Sequence, residues 1–212
     1  MKKPLLSIAA ALSVALLVAY TDRSTSVLSG FETGTPEVKS INALAFGPEG
    51  VLFIGDSKSA SVFAIDTKDA QAVETAKPVE VKNIDQKIAA LLGTEAKNIT
   101  IQDMVVNPLS KKVYCAIQSG SGAPVLLKID GENIQPVSLK DIQFSMVALN
   151  NAPAEDAKDQ RGRPTRVWAI SDLNYADGKV MVSGLSNQEF GSTFRSITFP
   201  FTNKQDQSSL EI

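Results

Sequence analysis

The stretch INALAFGPEGVLFIGDSKSASVFAID, residues 41–66, decides the fold. It contains three apolar runs separated by the turn Gly47-Pro48-Glu49-Gly50 and by a second turn of small polar residues. The runs are too short for helices, are rich in Val, Ile and Phe, and end at Gly, Pro, Asp or Ser. These features are typical of β-strands joined by tight turns. The stretch therefore predicts a small antiparallel sheet.

The same pattern occurs twice more, at residues 101–130 and 170–199. Each copy opens with an isoleucine, turns, and continues with two further short apolar runs. The turns of the later copies are Asn107-Pro108-Leu109-Ser110 and Ala176-Asp177-Gly178. A fourth segment also repeats: PVEVKNI at Pro78–Ile84 matches PVSLKDI at Pro136–Ile142. Repetition of this kind indicates a repeat architecture, and we expect four strands in each unit.

The first two strands of a unit carry apolar residues on both faces, so a single sheet cannot bury them. Stacking copies around an axis covers those faces, as in a β-propeller. The sequence thus predicts an all-β partial propeller at 41–212, with about three four-stranded antiparallel blades at 41–84, 101–142 and 168–212. A linker at 20–40 precedes them. Such an incomplete ring would expose two broad apolar faces, so we expect either an N-terminal fragment of a longer protein or self-association through those faces.

The segment DQKIAALLG, between the first two blades, predicts a short helix. Asp85 is expected to cap its N-terminus, and Gly93 to end it in the left-handed conformation. Ile88, Leu91 and Leu92 would form one apolar face. We favour a lid on the neighbouring sheet over a partner-binding helix.

Residues 1–19 resemble a secretory signal peptide, because Lys2 and Lys3 precede the apolar run Leu5–Ala19. The run is short for a membrane span, although an uncleaved anchor is the alternative. We expect cleavage near Ala19, a periplasmic or secreted protein, and no stable membrane insertion afterwards.

Charge argues against some partners. Loss of Lys2 and Lys3 takes the formal net charge from −2 to −4. An acidic chain lacks the basic face with which nucleic-acid-binding proteins neutralise phosphates. Nucleic acids and anionic membrane surfaces are therefore not expected partners.

The chain has no histidine and one cysteine, Cys115. These counts exclude a Ser-His-Asp triad, a Cys-His dyad, imidazole metal ligands and an intramolecular disulfide. Cys115 lies in the apolar run VYCAI, so we interpret it as a buried hydrophobic residue and not as a reactive thiol.

The stretches INALAFGPEGVLFIGD and VFAID resemble a blade of the exported bacterial propeller proteins of the NHL, YVTN and gluconolactonase-like groups. The resemblance extends over roughly residues 41–200. These groups include calcium-dependent lactonases and pure binding scaffolds, so the resemblance implies an architecture more specifically than an activity.

The resemblance also implies a candidate calcium site near the propeller axis, with Asp103, Asp172, Asn107 and Asn174 as oxygen ligands. The scaffold interpretation needs no cofactor, and calcium is the cofactor that the resemblance admits. The alternative, which we favour, is that Asp103 and Asp172 bind main-chain amides and hold the blades in register. The first copy has Ala43 at the equivalent position.

A polar insertion at 150–166 carries three candidate ligand-binding arginines, Arg161, Arg163 and Arg166. Guanidinium groups bind carboxylates well, so the insertion could contact an anion or a protein. The alternative is pairing with the insertion's own acids, which are Glu155, Asp156 and Asp159.

The sequence favours an exported propeller scaffold that binds a protein or small ligand without intrinsic catalysis. The alternative is a calcium-dependent hydrolase of lactones or esters resembling the gluconolactonase-like propellers. A third hypothesis is a self-associating structural unit.

Overall fold

A computed structural model of the protein describes residues 26–76, 78–120, 122–188, 191–202 and 204–209. The predicted signal peptide at 1–19 lies outside these residues. Among the residues described, no helix has both the length and the apolar character needed to cross a bilayer.

Three antiparallel sheets of four or five strands form the protein, as the sequence predicts. The first sheet has the order β1-β9-β4-β3-β2, with β1 at Glu32–Gly34, β2 at Ala43–Phe46, β3 at Val51–Asp56, β4 at Ser61–Asp66 and β9 at Ile142–Ala148. The second consists of β5 at Ile99–Val106, β6 at Val113–Ser119, β7 at Pro124–Asp130 and β8 at Asn133–Pro136. The third consists of β10 at Asp172–Ala176, β11 at Lys179–Leu185, β12 at Ser192–Thr198 and β13 at Gln205–Ser209. The part of the chain described here forms no closed ring.

The prediction of a fourth strand at Pro78–Ile84 is wrong. The first sheet takes its fourth strand, β9, from beyond the second sheet, and β1 pairs with β9 as a fifth. The repeated segments are instead connections, and each reaches a left-handed residue near its end, Asn83 (φ 52°) or Asp141 (φ 53°). A helix follows Asn83, whereas a strand follows Asp141. Two similar heptapeptides therefore lead into different structures.

The one α-helix among the residues that the structure describes, α1 at Ile84–Leu91, lies between the first two sheets in the sequence, as predicted. Asn83, and not Asp85, occupies its N-cap position, and no side chain caps it. Gly93 has the expected positive φ of 66°. Ile88 is fully buried against the second sheet, whereas Leu91 remains 44% exposed, so the helix covers that sheet with a narrower face than predicted.

The first sheet lies between the other two. Phe53 and its neighbours on one face pack against Val180, Val182 and Ile197 of the third sheet. Leu52 and its neighbours on the opposite face pack against the second sheet. Every residue of β3 is consequently buried, which explains why this stretch is almost continuously apolar.

The two outer faces of the stack are apolar in part. The second sheet's outer face is covered in part by α1 and by Val81 of the preceding connection. Met104 and Val106, at the β5 end of the same face, remain 55% and 53% exposed. The third sheet's outer face is largely polar in the described part of the chain, although Phe194 is 42% exposed there. Its polar members are Asp172, Asn174, Ser183, Ser196 and Thr198.

The strands that open the three repeats, β2, β5 and β10, lie side by side, because β2 contacts both β5 and β10. We call them the first strands. Asp103 on β5 strengthens one of these contacts by accepting the main-chain N–H of Leu44 on β2, at 2.7 Å. The first strands therefore form the shared inner edge of the stack.

Candidate functional site

The most strongly organised polar cluster centres on Asp69, just after β4. A local turn places this residue: the Asp69 N–H donates to Thr67 Oγ1 at 3.2 Å, and the Thr67 hydroxyl donates to the Gly50 carbonyl at 2.6 Å. Asn107 then donates its side-chain amide to the Asp69 carbonyl at 2.8 Å. The Asp69 side chain is only 7% exposed as a result.

Three donors from β6 and the β5–β6 connection bind the Asp69 carboxylate. Ser110 Oγ and Tyr114 Oη donate to Oδ2 at 2.8 and 3.0 Å, and Lys112 Nζ donates to Oδ1 at 3.2 Å. Ser110 and Lys112 lie in the connection between β5 and β6, and Tyr114 lies on β6. We call these four residues the Asp69 cluster. It joins the first sheet to the second.

The cluster changes the acidities of its members. Burial by itself raises the pKa of Asp69, but hydrogen bonds from Ser110, Lys112 and Tyr114 and the charge of Lys112 outweigh it, so the pKa is lowered. Burial, followed by the hydrogen bond to Asp69 and its negative charge, raises the pKa of Tyr114. Both effects favour a charged Asp69 beside a neutral Tyr114.

A cavity of about 530 Å³ opens beside the cluster. We call it the Lys112 groove. Its walls are Val73, Glu74, Thr75, Val79, Ser110, Lys111, Lys112, Ile129, Asp130 and Gly131. The volume falls in the range of about 300–1,000 Å³ that is usual for small-molecule sites.

The groove combines apolar walls with charges of both signs. Lys112 lies between two carboxylates, since its Nζ is also 3.7 Å from Asp130. Lys111 adds a second ammonium group, and Glu74 a further acid. Positive and negative groups nearly balance, so this surface suits a neutral or zwitterionic ligand with an apolar part.

A smaller cavity of about 270 Å³ occupies the equivalent place on the first sheet. There Val137 faces the end of β4, whereas in the Lys112 groove Val79 faces the end of β7. Val79 and Val137 are matching residues of the repeated heptapeptide. The repeat therefore builds two related depressions, of which only one adjoins the Asp69 cluster.

The predicted calcium ligands bind main-chain amides. Asp103 accepts Leu44 N–H and Met104 N–H, both at 2.7 Å. Asp172 and Asn174 each accept the N–H of the following residue, at 2.8 Å. Because β10 pairs only with β11, these bonds occupy amides of an edge strand.

Asn107 has a different structural role. It is fully buried, and its side-chain oxygen accepts Leu109 N–H at 2.8 Å while its amide group holds Asp69. Asp103 and Asn107 belong to the repeat that forms the second sheet, and Asp172 and Asn174 to the third sheet. These two sheets lie on opposite sides of the first. Within the described ranges, no three acidic or cysteine side chains lie close enough together to bind a metal.

The three predicted arginines do not act together. Arg163 Nε donates to Asp159 at 2.7 Å, which is the local pairing that the sequence offered as an alternative. Arg166 instead binds the carbonyls of Ser57 and Pro153, at 2.9 and 2.6 Å, and fastens the insertion to the β3–β4 turn. Arg161 is exposed on the same insertion.

Cys115 is fully buried in the cluster that faces α1. Burial, with a smaller contribution from the charge of Asp103, raises the pKa of its thiol to about 11. A thiol with this acidity is a poor nucleophile near neutral pH.

A comparison with protein-family models and with curated protein sequences finds no match for this chain. Its function has to be inferred from the groove, the charges around it and the arrangement of the sheets.

Proposed function

We propose that the protein is an exported propeller-type scaffold, similar to the NHL, YVTN and gluconolactonase-like groups, that binds a small ligand without chemically changing it. Three face-to-face sheets with adjacent first strands support the propeller interpretation, because blades pack in this manner around an axis. The ligand site is the Lys112 groove.

The observation that carries the ligand site is the Asp69 cluster at the groove's wall. Ser110 and Lys112, which line the groove, are held by a carboxylate that is itself nearly buried. Fixed polar groups beside an apolar wall orient a ligand at little cost in conformational entropy. The ligand class is a neutral or zwitterionic molecule with an apolar part, of amino-acid, short-peptide or sugar size.

Ligand-observed NMR with leucine, trialanine and glucose tests this function. Thr75→Trp places a large side chain in the groove, whereas Ser138→Trp does the same in the equivalent cavity of the first sheet. We expect at least one probe to bind the wild type and Ser138→Trp but not Thr75→Trp. No binding by any of the three probes, or equal binding to both variants, contradicts the proposal.

A further inference from the structure

Arg195 is the largest fully buried side chain in the described part of the protein, with 0% exposure. It lies on β12, opposite Val182 of β11 and Gln207 of β13. Its neighbours on the same face, Thr193 and Ile197, are also buried. The guanidinium group is therefore inside the packing between the third sheet and the chain that covers it.

Among the described residues, Arg195 makes its hydrogen bonds only to neutral main-chain groups. Nε donates to the Asn150 carbonyl at 3.3 Å, and Nη2 donates to the Leu185 carbonyl at 3.2 Å. Nη1 is buried and has no hydrogen-bond partner among the residues described. No ion pair within the described ranges includes Arg195.

A buried guanidinium without an acid is energetically unfavourable. Arginine stays protonated even where burial lowers its pKa, as it does here. Buried charges in proteins are normally paired, because removing an ion from water costs several kcal/mol. Within the described part of the chain, the Nη1 donor has no acceptor and the guanidinium has no acid beside it, and both observations point to an anionic ligand.

The chain over Arg195 is held by side-chain amides. Asn150 N–H donates to Gln205 Oε1 at 3.1 Å, and the Asn151 amide donates to Gln207 Oε1 at 3.2 Å. A cavity of about 390 Å³ is lined by Asn150 and Gln205. Asn150 is also the residue whose carbonyl accepts the Nε–H of Arg195. A small ion that reaches Arg195 from this cavity has to displace these neutral amide contacts.

We propose that Arg195 is a binding site for a small free carboxylate, such as formate or acetate. One carboxylate oxygen would accept Nη1–H, and the negative charge would neutralise the guanidinium. A planar carboxylate matches the guanidinium fork better than a monatomic anion does. This site is separate from the Lys112 groove, on a different sheet, and does not depend on the proposed function.

The test measures the melting temperature of the purified protein in sodium acetate and in sodium chloride at equal ionic strength. A ligand at ten times its Kd is expected to raise the melting temperature by a few degrees. Arg195→Met should abolish the difference between the two salts. Arg163→Gln, at an exposed arginine, should retain it.

A second measurement covers the case in which Arg195→Met does not fold. Line broadening of ¹³C-acetate by the wild-type protein, reversed by excess formate, reports occupancy directly. Equal melting temperatures in both salts together with no broadening overturn the proposal. So does a rise produced by sulfate alone, or one produced only by a peptide with a free C-terminus.

Discussion

Tyr114 donates its phenolic O–H to the Asp69 carboxylate at 3.0 Å, although 45 residues separate the two in the sequence. The ring of Tyr114 also packs edge-to-face with Phe46, with centroids 5.1 Å apart. Tyr114 therefore belongs both to the apolar contact between the first and second sheets and to the polar cluster beside the groove. Disturbing this pair should affect stability and the shape of the groove together.

Asp69→Asn should lower the free energy of unfolding by roughly 2 kcal/mol at pH 7, because three donors lose a charged acceptor. The lowered pKa of Asp69 gives this contribution a defined pH range. The contribution is complete above the unfolded-state pKa of about 3.9 and is lost as the pH falls through the lower, folded-state pKa. Urea unfolding of wild type and variant between pH 7 and pH 2 measures both effects.

The matched control for this prediction is Glu74→Gln, which removes an exposed acid from the same groove. It should change the free energy of unfolding by less than about 0.5 kcal/mol. A stability difference between wild type and Asp69→Asn that is unchanged at the lowest pH would contradict a charged Asp69 in the folded protein.

Tyr114→Phe tests the opposite end of the pH scale. Since the folded protein raises the pKa of Tyr114, its proton stabilises the fold below the unfolded-state pKa of about 10, and this stabilisation is lost as the pH rises further. We expect the variant to lose about 1 kcal/mol at pH 7. Its stability should then fall less than that of the wild type between pH 9 and pH 11. Parallel curves over this range would show that the tyrosine does not ionise differently in the two states.

The sequence predicts the local parts of this fold well. Strands β2, β3 and β4 follow directly from the apolar runs and turns of residues 41–66, and their hairpin pairing is local. The pairing of β4 with β9 is not predictable in this way, because the paired residues are about 80 positions apart in the sequence. The heptapeptides PVSLKDI and PVEVKNI also have the same order of apolar and polar residues, so their pattern does not show that they behave differently. The difference arises from packing: Val81 and Ile84 contact the second sheet, whereas Val137 and Leu139 pack in the cluster between the first and second sheets.

The candidate site shows a similar division. Ser110 and Lys112 lie in the turn between β5 and β6, where the alternation of a strand does not apply, so the sequence carries no signal that they and Tyr114 meet one acceptor. Nothing adjacent to Asp69 marks it as their acceptor, since the contact spans more than 40 residues. By contrast, the position of Asp103 in the repeat identifies it as a candidate from the sequence. It accepts the Leu44 amide, in agreement with the alternative in which it holds neighbouring blades in register.

Asp103→Ala distinguishes amide binding from calcium binding. The variant should lose about 1–2 kcal/mol of stability, because the Leu44 and Met104 amides lose a charged acceptor. Asp172→Ala, at an exposed position that binds only Leu173 N–H, should lose less. Thermal melts with and without calcium measure this. A calcium-dependent rise in the wild type that disappears in Asp103→Ala would instead support a metal site.

The helix contact is tested by a pair of alanine substitutions. Ile88→Ala should lower the free energy of unfolding by roughly 2–4 kcal/mol, since its side chain is fully buried against the second sheet. Leu91→Ala, one turn later and 44% exposed, should cost well under half as much. Chemical denaturation of both variants provides the comparison. Equal losses would mean that the helix buries the wider apolar face that the sequence predicted.

Gly184 on β11 lies directly against the main chain of Trp168 and Ala169, which precedes β10. A Cβ there would overlap the main-chain carbonyl of Ala169, which cannot move without displacing the chain around Trp168. Gly184→Ala should therefore destabilise the protein by about 1–3 kcal/mol, as overpacking does elsewhere. Gly191→Ala is the control, because its nearest neighbour to the added Cβ is a Leu185 side-chain carbon at 3.8 Å. If urea unfolding gives the two variants equal stability, the 168–169 segment does not pack on β11 in solution.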